Sequence, residues 1–314
     1  MRMDCSSAVA KDLRLLQAEM SGLSSDRTEL ERRCRWRPLL DIGLNWGLVL
    51  LACAAVLEFG GWAVPLALLV IGWRQRALGN LLHEAGHGNL HPSRRVNECM
   101  GWLLLAWPGC TDLRRYRADH YAHHRQLGDH LRDPDLLPRR REAGWLGHLT
   151  TFTLSTRHWW ASFSGDLLAR RTGLASRVAI VAWWMGAAII LQATFGTEFA
   201  AAFVGLWFAA RATTFHALTM FREMCDHFGL DPQSIVSYTR DSVGCGPLAW
   251  LIHPHNNGYH LTHHLMPHVP YYNLPRAQRL LSQLPLYRRH ARVYSTYLLG
   301  RGSIVSSMNP EAQT

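Results

Sequence analysis

Leu39 to Leu57 reads LLDIGLNWGLVLLACAAVL, an apolar stretch interrupted only by Asp41, Asn45 and small residues. At 1.5 Å per residue it extends about 28 Å, close to the hydrocarbon thickness of a bilayer. Glu58-Phe-Gly-Gly61 then turns the chain back into a second apolar run, Trp62 to Trp73. The pattern recurs with Val178 to Phe195, a tight Gly196-Thr-Glu198 turn, and Phe199 to Ala210. We read an all-α integral membrane protein with four transmembrane helices in two hairpins, spanning about 39–57, 62–82, 178–195 and 199–222. Apolar runs of this length also occur in soluble helical cores. The paired hairpins and the flanking Trp46, Trp62, Trp73, Trp183, Trp184 and Trp207 favour the bilayer.

The charges give an orientation, because Lys and Arg near membrane ends stay on the cytoplasmic side. Arg32, Arg33, Arg35 and Arg37 precede the first helix and Arg74 and Arg76 follow the second; Arg170, Arg171 and Arg177 precede the third and Arg211 and Arg222 follow the fourth. Neither hairpin turn carries Lys or Arg. Both termini and the long middle segment are therefore expected in the cytoplasm. The expected organisation is a cytoplasmic segment 1–37, a membrane domain 38–282 and a cytoplasmic tail 283–314. The second and fourth helices meet their first Arg after only about 12 apolar residues, against the roughly 20 needed to cross. We expect them to continue beyond the bilayer into a cytoplasmic helical cap, rather than bury Arg74, Arg76 and Arg211 around a polar cavity. Val96 to Pro108 and Trp145 to Phe163 are shorter or more polar and read as interfacial.

With no cleavable leader in residues 1–37, the first span is expected to act as the insertion signal. Seven cysteines without a C-x-x-C pair suit a reducing compartment. The net charge of +10 tracks the membrane ends, which argues for anionic lipid or an acidic protein as partner and against nucleic acid.

Eight histidines fall into three clusters on the side assigned to the cytoplasm: His83 and His87; His120, His123 and His124; His260, His263 and His264. Spacings of three and four bring imidazoles to one helical face. Chance would scatter 18 histidines, whereas here H-x-x-H-H occurs twice. Eight nitrogens exceed the needs of one ordinary metal ion, so two metals share the set. Imidazole suits iron, copper, nickel and zinc alike, and two irons fit best.

With these residues the chain resembles the integral-membrane fatty acid desaturase and hydroxylase family of non-haem di-iron enzymes. The resemblance covers roughly Leu39 to Leu281. It rests on H-E-A-G-H-G (83–88) with Arg94-Arg95-Val-Asn97 and Gly101-Trp102-Leu103, on His120-x-x-His-His-Arg125 with Asp133-Pro-Asp135, and on Asn256-Asn-Gly-Tyr-His260-x-x-His-His-Leu-Met-Pro267 with Val269-Pro-Tyr. It implies that the boxes ligate two irons with O2 as co-substrate. It also implies a further ligand near the end of the fourth helix, here His227. Glu223, Asn256 or Asn257 would help the second metal directly or through water. Asp226 stands where the family usually has Glu, and Thr262 where it often has Glu or Gln, so hydrogen bonding behind the last box is expected to differ. His91, His253, His255 and His268 read as surface or supporting groups, and His130, His148, His158, His216 and His290 carry no expected role.

An unactivated C–H bond resists acid–base chemistry, so its cleavage needs an oxidant made from O2 at a redox metal. Losing two hydrogens gives a double bond, and oxygen rebound gives an alcohol. The expected substrate is an acyl chain of a fatty acid, acyl thioester or lipid. The sequence has no His-Pro-Gly-Gly, C-x-x-C or G-x-G-x-x-G segment, so electrons must come from a separate ferredoxin-like or b-type cytochrome donor and its reductase. A rival reading takes His83-Glu84-x-x-His87 as the H-E-x-x-H of an intramembrane zinc metalloprotease. It leaves both H-x-x-H-H boxes without purpose, and Leu90 occupies the Gly position of the extended motif. A metal transporter would hold its ligands within the spans.

Overall fold

The computed structural model describes residues 5–20, 24–139, 143–230 and 234–309. These are mostly helical, and their two strands, β1 (Arg240–Ser242) and β2 (Arg292–Tyr294), pair in parallel with Asp241 opposite Val293. The chain divides into two compact units. One comprises Cys34–Tyr116 and Phe152–Met220; the other takes the described parts of Met1–Arg33, Arg117–Thr151 and Phe221–Thr314.

The first unit holds the apolar hairpins. Pro38 in the first turn of helix Arg37–Phe59 costs no hydrogen bond, because those N–H groups have no partner within a helix. The helix stops at Gly60, whose φ of 72° favours glycine. After a 3₁₀ turn, Gly60–Ala63, the helix Val64–His87 returns. The helix Arg37–Phe59 is patterned against the rule for a soluble protein. Asn45 is only 2% exposed beside Ile42, Val49 and Cys53, while Leu44 and Leu51 are 66% and 65% exposed. Polar groups inside and leucines outside suit lipid as solvent. Among the described residues, two helical segments can cross a membrane by length and composition, Arg37–His87 and Leu174–Phe195.

The expected extensions are present as helices. Val64–His87 runs unbroken past Arg74, which donates to Asn45 at 3.0 Å, and past buried Arg76, which donates to Asn80 at 2.7 Å. Thr197–Ala210 continues through a π-helical turn, Arg211–Phe215, into His216–Asp226. At that turn Thr214 donates to the Leu68 carbonyl. The close approach explains Gly72, because a Cβ there would lie 2.1 Å from Thr214 Oγ1 and 2.7 Å from the Phe215 nitrogen.

The second unit is built from short helices. Asp12 accepts from the Ile235 N–H (2.8 Å) and Ser234 hydroxyl (2.6 Å), tying the helix Cys5–Glu19 to Ile235–Tyr238. Residues 283–309 pack within this unit. They supply a helix (Pro285–His290), strand β2, and the buried side chains of Tyr287, Tyr297, Ile304 and Met308.

Candidate metal centre

Two helices carry the doubled boxes, and the histidines of both lie in the second unit. Leu113–Arg125 is started by Asp112, whose Oδ1 accepts from the N–H groups of Arg114 (2.8 Å) and Arg115 (3.0 Å). It presents His120, His123 and His124. His260–Leu265 is six residues long and presents His260, His263 and His264, all buried. His227 follows directly on helix His216–Asp226.

These seven imidazoles sort into two groups. In the first, His123, His227, His260 and His264 bring one nitrogen each within 4.8 Å of all the others. The Nε2 of His260 lies 2.9 Å from that of His227 and 3.2 Å from that of His264. In the second, the Nε2 of His124 lies 3.0 Å from that of His120 and 3.1 Å from that of His263. The groups adjoin, since the rings of His124 and His264 stack with centroids 4.2 Å apart. His83 and His87 belong to the other unit, one turn apart on Val64–His87 with ring centroids at 5.0 Å.

The spacing tests whether a metal fits. Two nitrogens each about 2.1 Å from one metal, and 2.9–3.2 Å from each other, subtend about 87–99° at it. Tetrahedral ligands need about 109°, which would hold the nitrogens about 3.4 Å apart. Adjacent octahedral positions need about 90°. Nitrogens this close can serve one metal ion as neighbouring ligands, so a metal fits each group.

The surroundings prepare the donors. His227 Nδ1 lies 3.1 Å from the Tyr238 carbonyl, which only accepts, so the proton sits on Nδ1 and Nε2 keeps its lone pair. Burial, aided by nearby His123, pushes the His227 pKa down to about 3. Burial likewise carries His260 and His264 well below the usual range. His123 differs. Burial is the largest influence and acts to lower it, but the 2.8 Å bond from its Nδ1 to Asp133 Oδ1, together with the negative charges of Asp135, Asp133 and Glu223, leaves it raised. Asp133, lowered in turn despite its burial, is fixed by the N–H groups of Gly128 (2.8 Å) and Asp135 (3.0 Å).

A second carboxylate, Asp226, lies behind the first group. Its Oδ2 is 2.9 Å from Arg222 Nη2 and 3.6 Å from His260 Nε2, and its Oδ1 accepts from His253 Nε2 at 3.0 Å. Burial would raise its pKa, but Arg222, His260 and His253 hold it below the usual carboxylate range. His253 Nδ1 accepts from the Tyr297 hydroxyl at 2.6 Å, so this histidine is a supporting group. Arg222 also donates to Glu223 (2.7 Å) and Asn257 (3.0 Å), and Asn256 donates to the Tyr271 carbonyl (3.1 Å). Thr262 donates its hydroxyl to Asp241 at 2.6 Å, so β1 supplies the carboxylate behind the last box. Buried His216 bonds Ser162 and the Thr153 carbonyl, and buried His148 bonds the Gly144 carbonyl; both are satisfied core histidines. The supporting roles of Asp133, Asp241 and Tyr297 escaped the sequence reading. Only Asp133 had a signal, its place in Asp133-Pro-Asp135.

Residues 60–297 match the fatty acid desaturase family. The chain belongs to this family. It is 30% identical over 266 residues to the dihydrorhizobitoxine desaturase of Bradyrhizobium elkanii, a match covering 77% of this chain and 75% of that protein. It is 28% identical over 222 residues to the β-carotene ketolase of Paracoccus sp. (strain PC1), covering 68% and 78%. A Delta 8-(E)-sphingolipid desaturase of Kluyveromyces lactis is 25% identical over 149 residues, covering 48% of this chain and 23% of its own. The chain is thus a desaturase-like oxidoreductase of an iron-using membrane family, and the metalloprotease reading of His83-Glu84-x-x-His87 has no support.

Proposed function

We propose that this desaturase-family protein is a four-span membrane enzyme holding two irons in a cytoplasmic cap. It uses O2 to desaturate or hydroxylate an acyl chain of a fatty acid, acyl thioester or lipid. The observation that carries the reading is the pair of adjoining imidazole groups with the nitrogen spacing of cis ligands. His123, His227, His260 and His264 hold one iron. His120, His124 and His263 hold the other, completed by His83 and His87, which the family resemblance assigns. Bound iron supplies the redox chemistry that activates O2 against an unactivated C–H bond. The protein keeps His227, His260 and His264 neutral and ready to ligate, fixes the His123 tautomer through Asp133, and holds the rings in place before metal arrives.

The arginines at the membrane ends support cytoplasmic termini, segment 1–37 and the cap on that side, and attraction of a separate acidic donor, ferredoxin-like or a b-type cytochrome, with its reductase. An apolar cleft of about 450 Å³ in the first unit, lined by Trp46, Leu50, Leu103, Ile190, Leu191 and Phe203, suits an alkyl chain. The relatives are named for dihydrorhizobitoxine, β-carotene and a sphingolipid, and these names fix no head group.

The test is metal analysis of purified chain together with O2-dependent turnover of lipids and thioesters, followed by mass spectrometry. Two irons per chain are expected. His123→Ala and His263→Ala should each lower bound iron and abolish activity while the chain stays in the membrane. Full activity in either variant, or a single zinc with O2-independent cleavage, would overturn the reading.

A further inference from the structure

The helix His260–Leu265 has an unusual burden. Its six residues send His260 and His264 to one nitrogen group and His263 to the other. A helix this short does not hold its own conformation in isolation. The error it can tolerate is small. An imidazole nitrogen several ångströms from the helix axis moves on the order of 1 Å for a 10° rotation, whereas ligand distances must be kept to about ±0.2 Å. Something outside the helix has to fix its rotation.

The residue at the N-cap position does not, because Tyr259 makes no side-chain cap hydrogen bond. Asp241 fills that place from β1. It is completely buried, and its Oδ1 accepts from the Thr262 N–H at 3.0 Å. Its Oδ2 accepts from the Thr262 hydroxyl at 2.6 Å and from the Tyr287 hydroxyl at 2.6 Å. A carboxylate at these first N–H groups also meets the positive end of the helix dipole. The Asp241 backbone is held by the register with Val293 and by a bridge to Tyr259. Tyr287 is equally constrained, since its oxygen accepts from Gln278 Nε2 at 3.3 Å and leaves its proton for Asp241.

We propose that Asp241 is the positioning residue of the last histidine box, acting through Thr262 and anchored by Tyr287 of the C-terminal segment. The inference rests on the reading of the histidine groups as iron sites. It assigns Thr262 a role that its hydroxyl performs and its bulk does not, and it makes residues 283–309 part of the metal centre's frame.

The test compares Thr262→Val, which keeps shape and removes one hydroxyl, with Thr262→Ser, which keeps the hydroxyl, and with Tyr287→Phe. Each full-length chain is loaded with ⁵⁷Fe. Retention against a chelator, the Mössbauer spectrum and the metal-free thermal midpoint are recorded. Thr262→Val and Tyr287→Phe should lose iron about 10–100-fold more readily, the usual cost of removing a ligand's supporting bond, with altered quadrupole splitting. Thr262→Ser should restore both. Wild-type iron retention and spectrum in Thr262→Val, with or without a lower midpoint, would overturn the proposal, as would failure of Thr262→Ser to rescue. A wild-type chain that binds no iron would instead sink the iron reading on which it rests.

Discussion

Asp133→Asn separates two opposing effects of one carboxylate. In the native protein His123 Nδ1 donates to Asp133 Oδ1 at 2.8 Å while Asp133 Oδ2 accepts from the Gly128 N–H at 2.8 Å. An asparagine has one acceptor oxygen, so either His123 or Gly128 must face an NH₂ group. Losing a histidine ligand's supporting bond costs about 10–100-fold in metal affinity, or about 1.4–2.8 kcal/mol. The proton acts in the other direction. Asp133, together with Asp135 and Glu223, raises the His123 pKa against its burial, so below that raised pKa the metal must displace a proton. In the asparagine variant the pKa falls and proton competition begins at lower pH. The affinity ratio of wild type to variant should therefore be largest at alkaline pH and shrink on acidification. In the metal-free chain the same pair adds stability only while both partners are charged. It fades as pH rises through the raised pKa of His123, and as pH falls through the lowered pKa of Asp133. Chelator competition with Fe²⁺ or Co²⁺ across about pH 6 to 9 reads the ratio. A ratio independent of pH, or tighter binding by the variant at alkaline pH, would refute the reasoning.

Two further predictions concern packing. Gly72→Ala places a methyl group against Thr214 Oγ1 and the Phe215 backbone, and only the first can move aside. We expect a loss of about 1–3 kcal/mol, seen as a lower thermal midpoint in detergent; an unchanged midpoint would show that the π-turn yields freely. His148→Ala removes a buried ring packed 4.7 Å from Phe228 and should lower stability yet keep both irons, whereas exposed His290→Ala should change neither. Loss of iron in either variant would show that the ligand set is incomplete.

The parts of the site visible in the sequence were those that chemistry forces into a local spacing. Two imidazoles on one helical face must recur at three or four residues, and the boxes at 120–124 and 260–264 do. His227 has no such partner nearby, and only the family resemblance singled it out. The supporting residues were invisible for a plain reason. Asp241 reaches Thr262 across 21 residues and Tyr287 across 46, and no periodicity links them. Residues 283–309 looked like a tail because their buried Tyr287, Tyr297, Ile304 and Met308 fall at no helical or strand period. The apolar hairpins were legible by length, and the boundaries differed where helices ran on. Leu174–Phe195 begins ahead of the expected 178, and Val64–His87 ends beyond 82.

The doubled histidine in each H-x-x-H-H box has a geometric reason. Neighbouring residues on a helix diverge by about 100°, whereas residues four apart nearly eclipse. His120 and His124, four apart, therefore serve one group together, and His123 points away to the other. In the last box His260 and His264 form the four-apart pair of the group that His123 joins, while His263 crosses to His120 and His124. Each box thus gives a pair to one group and a single ring to its neighbour, and the exchange is reciprocal. One box alone would supply a single group with too few nitrogens. Two boxes arranged in this way build two adjoining groups from ten residues of helix bearing six imidazoles. The stacked contact of His124 and His264 lies where the two pairs meet, so the same rings that fill the groups also set the distance between them.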